Sequence, residues 1–420
     1  GGALDAELSG RLSTQSVVSL AGIPLDDTWL SGEAEWRAHI TGSDNGVRAR
    51  IETEGRGLLS QLPAPLTKRA DARGTISVEI ETQDERRPVR VRVFDSVEIE
   101  GSLSESETDW LIRAPSVDLL GWAQVSGSGD SDAALRLLVE TEEVRVDETA
   151  LAVNRIAVRF EQQTLDVSFE GEALAGRVQR IGTAPLAIDL ERLVLPEAGE
   201  FLAPPEPDPL MDFNPGELPS MEIAIADLLR GETRYQDVRV TTVQGTDRLD
   251  VTRLAFVRDG QGFAGEMAWQ WTEAGPKTAI TLRAEGAELG QFLRVNEKEP
   301  ILEASQGVFA AEFTWDGSPL GFSILTSGGW ISLSLEDGRF VDLGNSAEVL
   351  RLFGILNIET LTRRLRLDFL DLVKPGVAFD QVVATASVSD GLLTLDPEMA
   401  MDGPSSSFRL TGTANLSEKT

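Results

Sequence analysis

The chain has 420 residues, more than one compact core usually fills, which predicts several modules or one extended body. Its 41% hydrophobic and 25% charged residues exclude wholesale disorder, and a net charge of −31 with a pI near 4.4 excludes a nucleic-acid backbone as partner, because phosphates are met by clustered Lys and Arg. The absence of Cys excludes disulfide frameworks, thiolate nucleophiles and Cys-ligated zinc.

No stretch approaches the 18 or more consecutive apolar residues of a membrane-spanning helix. The start Gly1-Gly2-Ala3 has neither Met nor a signal-peptide pattern, and both ends are expected to be cut from a longer protein.

In chain order, alternation of apolar and polar residues predicts strand after strand. It appears around Trp36 and Ile40; in Val89, Val91 and Val93, split by Arg90 and Arg92; in Val97 and Ile99; and in Leu135, Leu137 and Val139. It continues in Ile156, Val158 and Phe160, in Leu165, Val167 and Phe169, in Phe263, Met267, Trp269 and Trp271, in Phe309, Phe313 and Trp315, and in Ile331, Leu333 and Leu335. Turn signals fall between the runs at Asp44-Asn45-Gly46, Asp259-Gly260, Asp316-Gly317, Asp337-Gly338 and Asp390-Gly391. Hairpin following hairpin predicts a meandering antiparallel sheet with one greasy face.

Two segments break the strand rhythm. Ala203-Pro204-Pro205-Glu206-Pro207-Asp208-Pro209, leading to Asn214-Pro215-Gly216, is too rich in proline for a central strand and reads as a loop or linker over 201–219. From Asn345 to Arg366, the residues Val349, Leu350, Phe353, Leu356 and Leu361 recur at helical spacing behind Asn345 as N-cap, with Glu348 three residues on. This predicts one amphipathic helix over 345–366. The expected organisation is thus a β region over 1–200, the linker, a middle β region over 220–344, the helix, and C-terminal strands over 367–420.

Reaction chemistry finds little support. The sole histidine, His39, sits in an alternating segment without a matched nucleophile or metal partner, so a strand-surface role is preferred to catalysis. Gly127-Ser128-Gly129 lacks the third glycine and the strand-then-helix context of a dinucleotide loop, and Asp44-Asn45-Gly46 lacks the bidentate glutamate of a calcium loop. Glu140, Glu142 and Glu143 read as the solvated side of a strand. No metal, cofactor or catalytic group is expected.

Three features stand above that background. The one-faced strands fit either a sandwich or barrel core or a single sheet curled into a trough, and periodicity alone places the compact core first. Arg363, Arg364 and Arg366, beside Leu350 and Phe353 of the expected helix, suit a phosphate headgroup or membrane surface, or else pair with Glu359, Asp368 and Asp371. The rings of Trp269, Trp271, Phe309, Phe313 and Trp315 could line an acyl channel or plug a core.

A series of blocks resembles the YhdP/AsmA-like family of Gram-negative envelope proteins, in that family's order. They are Phe313 to Pro319, Leu335 to Phe340, Leu350 to Asn357, Arg363 to Phe369 with Asp371-Leu372, Gly376 to Asp380, and Gly403-Pro404-Ser405-Ser406 followed by Gly412. Leu218-Pro219, Phe263-Ala264-Gly265 and Trp269 are similar to the region upstream, whereas residues before about 200 match only in style, as in Phe169 to Gly176 and Leu193 to Pro196. The resemblance implies an elongated, curved antiparallel sheet, a β-taco or half-pipe with an apolar groove and one short helix near the C-terminal end, and it moves the trough ahead of the sandwich. It further implies a non-enzymatic carrier of phospholipid between inner and outer membranes across the periplasm, anchored in the inner membrane by a segment absent from this chain. A scaffold that docks an envelope protein partner is the alternative. The expected groove residues are Val158, Phe160, Val167, Phe169, Phe263, Met267, Trp269, Trp271, Phe309, Phe313, Trp315, Ile331, Leu333 and Leu335. Expected headgroup or membrane contacts are Leu350, Phe353, Arg363, Arg364 and Arg366.

Overall fold

The structure, a computed structural model, describes residues 4–14, 16, 29–43, 46–82, 87–103, 107–124, 134–146, 149–196, 208, 210–286, 289, 302–340, 378–404 and 407–416. The described residues are overwhelmingly strand, and they divide into two compact units at Pro196/Glu197.

The first unit contains β1 (Leu4–Ser13), β2 (Leu30–Ser43), β3 (Gly46–Thr53), β4 (Leu58–Ser60), β5 (Ile76–Thr82), β6 (Arg87–Val93), β7 (Val97–Leu103), β8 (Glu107–Arg113) and β9 (Ser116–Asp118). After the short helix α1 (Leu119–Gln124) come β10 (Ala134–Glu140), β11 (Glu143–Val146), β12 (Thr149–Ala152), β13 (Arg155–Glu161), β14 (Thr164–Glu170), β15 (Leu174–Ile181) and β16 (Leu186–Leu195). The main ladder runs β1-β2-β3-β5-β6-β7-β8-β10-β13-β14-β15-β16. Every step is antiparallel except β8 to β10, which is parallel and departs from the expected meander. Parallel neighbours need a crossover, and here the chain between them carries β9 and α1. Alternation shows where strands are and is silent on the direction of their partners.

Beside this junction the sheet bends. β8 resumes as β9 after Ala114-Pro115, β10 resumes as β11 after Thr141-Glu142, and β12 leads into β13 through Val153-Asn154. The resulting small sheet, β12-β11-β9, is joined to the main ladder by backbone bonds from Ala114 N to Glu140 O (3.0 Å) and from Thr141 N to Asn154 O (3.1 Å). Val144, Leu151 and Val153 bury themselves at this fold line.

The second unit is a continuous antiparallel meander. It comprises β17 (Met221–Arg230), β18 (Thr233–Gln244), β19 (Arg248–Arg258), β20 (Gln261–Thr272), β21 (Gly275–Glu285), β22 (Leu302–Asp316), β23 (Gly328–Phe340) and β24 (Ala378–Ser389). Two broken rows follow, β25 (Leu392–Leu395) with β26 (Met399–Asp402), then β27 (Ser407–Leu410) with β28 (Thr413–Asn415). Asp259-Gly260 (φ 50° and 80°) and Asp390-Gly391 (φ 49° and 73°) form two-residue hairpin turns that require the left-handed region at both positions. Asp337-Gly338 corrects the expectation of a turn. Asp337 is left-handed (φ 45°) within β23, the pairing register continues through it, and a Cβ on Gly338 would meet Phe379 Cζ at 2.3 Å. The dipeptide serves a close approach between strands rather than a chain reversal.

Because strand side chains alternate, register sorts each ladder into two faces. On one face of the first unit, charged residues oppose each other across strands. Arg92, Glu98, Arg113, Glu140, Arg155 and Glu170 form one row over six strands. Its contacts include Arg92–Glu98 (3.2 Å), Arg113–Glu140 (3.0 Å) and Arg155–Glu170 (3.3 Å). Such pairs are individually weak at the surface, but in alternating sign they favour one register over its neighbours.

The other face of each unit is apolar. In the second unit Leu335 and Val382 are 0% and 1% exposed, although among the described residues no second sheet lies over them. A flat single layer cannot hide side chains that well, so the sheet curls its apolar face inward. Bulges at Thr241/Thr242, Val251/Leu254 and Gln236/Arg239 supply bends.

Segments at the strand ends add to the cover in the second unit. The stretch from Leu210 to Ser220 passes successive hairpins, with Gln244 Nε2 donating to Gly216 O (2.6 Å) and Asn214 Nδ2 donating to Asp247 Oδ1 (3.3 Å). Asp208 accepts from Ser318 N (2.6 Å), Ser318 Oγ (2.7 Å) and Leu210 N (3.0 Å). Ser318 O in turn accepts from Trp315 Nε1 (2.8 Å), and Gly317 O accepts from Thr278 Oγ1 (2.7 Å). Asp208 belongs to the proline-rich stretch, which here ties the loop after β22 to the sheet; 201–207 and Pro209 lie outside the described residues.

The two faces make different demands on stability. Leu335→Ala removes a fully buried side chain and is expected to cost about 2–5 kcal/mol. Phe160→Ala, at a position 39% exposed, is expected to cost distinctly less. Denaturant unfolding followed by tryptophan fluorescence separates the two, and equal losses would refute the graded burial. On the polar face, hydrogen bonds from Arg90 and Arg177 hold the Glu100 and Asp166 carboxyls below their ordinary range, and Arg339 and Arg409 do the same for Glu303 and Asp402. A depressed folded-state pKa adds stability above the unfolded value and loses it as pH falls through the folded one. Melting temperature should therefore hold above about pH 5 and fall below about pH 4. An unchanged value at the acid end would mean that these pairs contribute nothing.

Candidate functional site

The expected groove residues sort cleanly by register. In the second unit Trp269 faces Thr278, which faces Trp315; Met267 faces Ile280, which faces Phe313; and Phe263 faces Ala284, which faces Phe309. From there Phe309 faces Leu333, Ala311 faces Ile331 and Gly307 faces Leu335. Trp271 lies at the end of the same β20 face, opposite Pro276. All ten residues expected in this unit therefore share one side of the sheet.

The face extends past the residues that periodicity singled out. Leu333 faces Ala384, Leu335 faces Val382, and Ala386 and Val388 continue to Leu395 and Leu393. Met399 and Met401 then face Leu410 and Phe408. In the other direction Phe263 faces Phe256, and Val240 faces Leu254 and Ile223. The β24 pattern Val382, Ala384, Ala386, Val388 is visible in the sequence, but its small alanines give a faint signal.

Aromatic packing closes one side of this face. Phe213 stacks on Trp269 with centroids 6.0 Å apart, and Phe322 meets Phe313 and Trp315 edge-on at 5.7 and 5.0 Å. Phe213 and Phe322 lie in proline-containing turns with no period, so sequence alternation could not find them. A second group, Tyr235, Phe256, Phe263 and Phe309, forms a chain of ring contacts at 5.6, 5.0 and 6.3 Å. Met267, Ile280, Leu282, Phe309 and Ile331 retain partial exposure between these groups.

In the first unit Val158 faces Leu137 and Val167, Phe160 faces Leu135 and Leu165, and Phe169 faces Ile156. The four expected residues thus share one apolar side, which continues through Trp110, Ile112, Ile99, Val91, Val78 and Ile51. Gly101 leaves space for the Trp110 ring, since a Cβ there would lie 2.2 Å from it. Burial falls along the strands. Phe169, Ile156 and Val139 are buried near the bend, whereas Phe160 (39% exposed) and Leu135 (38% exposed) at the opposite strand ends are open. The exposed Leu135 and Phe160, directly opposite each other on one face, form a patch that calls for an apolar partner.

Leu350, Phe353, Arg363, Arg364 and Arg366, with the expected helix 345–366, lie outside the described residues. His39 Nε2 lies 2.7 Å from Asp5 Oδ1 on the exposed polar face. No group of three or more His, Cys, Asp or Glu placed to hold a metal ion occurs among the described residues. No described helix is long and apolar enough to cross a membrane.

The "Intermembrane phospholipid transporter YhdP" of Escherichia coli (strain K12) is 30% identical over 180 residues, covering 42% of this chain and 14% of that protein. This chain therefore spans a minor part of that relative's length. No solved structure matches the chain. The model of the YhdP protein family matches residues 1–420, from the first strand to the last, and the chain belongs to that family.

Proposed function

We propose that the apolar face is a groove that holds the acyl chains of phospholipid as it passes between the inner and outer membranes through the periplasm. One observation carries this reading: a single-layer sheet whose inward side is apolar over many consecutive strands and only partly covered by the protein's own chain. A compact core would hide that side completely. Here Val158 and Val167 on the apolar face of the first unit, and Met267, Ile280 and Phe309 on that of the second, keep accessible surface, and lipid chains are the natural occupant.

The energetics favour a continuous surface. Each methylene moved from water to an apolar site is worth about 0.8 kcal/mol, so a sixteen-carbon chain exposed to water costs roughly 10 kcal/mol or more. A groove that keeps the chain covered along its path removes that barrier, while the headgroup stays hydrated at the open side. The chemistry needed is solvation by Val, Ile, Leu, Met and aromatic side chains. The likeness to the intermembrane phospholipid transporter of Escherichia coli supports the cargo.

A photoreactive amino acid at Val167, Met267, Ile280 or Phe309 should crosslink phospholipid in cells, and one at Lys277 or Ser332, on the polar face of the same strands, should not. Phe309→Glu should reduce crosslinking at Ile280 at least severalfold while circular dichroism stays that of a β protein. Equal labelling of both faces, or a groove that captures a stoichiometric protein partner and no lipid, would count against the proposal.

A further inference from the structure

One rim of the second unit's apolar face carries a wall that the sheet itself does not supply, and cover changes from row to row beside it. Trp269, Thr278 and Trp315 face one another across β20, β21 and β22 and are buried, with Phe213 on Trp269 and Phe322 on Trp315. Toward the other strand ends, Phe263 and Ala284 form a second buried row. Two rows between them stay partly open. In one Met267 faces Ile280, and in the other Gly265 faces Leu282, with Ile331 beyond Ala311. Successive rows lie two residues apart along each strand, about 7 Å, so the open part of the face is a narrow band.

Two segments form the wall, the stretch from Leu210 to Ser220 and the loop from Gly317 to Ser327 after β22. One side chain joins them. The Asp208 carboxylate accepts from Leu210 N on its own segment (3.0 Å) and from Ser318 N (2.6 Å) and Ser318 Oγ (2.7 Å) on the loop. Two glycines leave room for it, since a Cβ on Gly321 would lie 2.6 Å from Asp208 Oδ2 and one on Gly317 would lie 2.9 Å from it. Elsewhere the fit is imperfect. Trp269 Nε1 and Ser327 Oγ are buried with no hydrogen-bond partner among the described residues, and a buried unpaired polar atom costs free energy. The wall is held shut against that standing cost, and the carboxylate is a charged fastening between its two parts.

We propose that Asp208 is a positioning residue of the groove, fastening the two segments into a wall that confines acyl chains to the band of Met267, Ile280, Leu282 and Ile331. This rests on the reading of that face as a lipid groove and adds which part of it the cargo occupies. With the carboxylate in place the row of Trp269 and Trp315 is closed to hydrocarbon. Once it is displaced, the loop moves away with Phe322 and Ile324 and the row beneath admits the guest. Hydrogen bonds to a charged acceptor are among the stronger ones a protein makes, so one residue sets the balance.

The chain has no Cys, so Ile324→Cys, at a loop position 4% exposed, reports opening of the wall through its rate of maleimide labelling, with no lipid needed. Ala284→Cys, 3% exposed in the far buried row, reports loosening of the sheet itself. In the full chain, Asp208→Ala and Gly321→Ala should each speed labelling at position 324 about tenfold or more and leave position 284 slow. Gly321→Ala keeps the carboxylate and crowds it out of its place, so it acts without removing a charge. In cells, a photoreactive residue at Ile280 should capture phospholipid in every variant, and one at Ile324 only when Asp208 is replaced or displaced. Unchanged labelling at 324, or an equal rise at 284, would overturn the fastening role and leave the groove reading standing. Absence of lipid at Ile280 in every variant would overturn the groove reading, and this proposal with it.

Discussion

Cross-strand register is the constraint on which the rest of this protein depends. Side chains alternate with a period of two, so a slip of one residue would carry every apolar group of a strand to the charged side. The row from Arg92 to Glu170 opposes that slip with alternating charge across six strands, and hairpin turns such as Asp259-Gly260 set the pairing locally. No single pair contributes much. Their common consequence is that one face of each unit stays apolar from strand to strand.

A single layer with one apolar face has an unsolved burial problem, and the two units relieve it in graded ways. In the second unit curvature and bulges bring side chains together, and Phe213 and Phe322 add rings from outside the strands. The Asp208 carboxylate holds the loop that carries Phe322 by bonding Ser318 through both backbone and hydroxyl. In the first unit the bend at Ala114-Pro115 and Thr141-Glu142 buries one set of strand ends and leaves the other open. A mobile hydrocarbon guest on such a face would act as the missing second layer, which is why incomplete burial and a carrier role belong together physically.

The parallel step between β8 and β10 is the main irregularity of the first unit, and it has consequences on both faces. On the apolar side Trp110 and Leu137 become neighbours. On the polar side Asp109 and Leu111 are set beside Arg136 and Leu138, next to the Arg159 of β13. The same register that elsewhere matches opposite charges here sets Arg136 and Arg159 on neighbouring strands.

Much of this was legible in the residues themselves. Alternation in Val89-Val91-Val93, Ile156-Val158-Phe160 and Phe309-Phe313-Trp315 identified strands and their apolar sides, because the period of two is a local property of extended backbone. Family blocks from Phe313 onward moved the trough ahead of the compact core that periodicity alone placed first. Tertiary structure alone decided that β8 and β10 run parallel, that Asp337-Gly338 lies within a strand, and that Phe213 and Phe322 pack onto the apolar face. These outcomes depend on contacts between residues far apart in the chain, such as Asp208 with Ser318 and Asp109 with Arg136, and no local period encodes them.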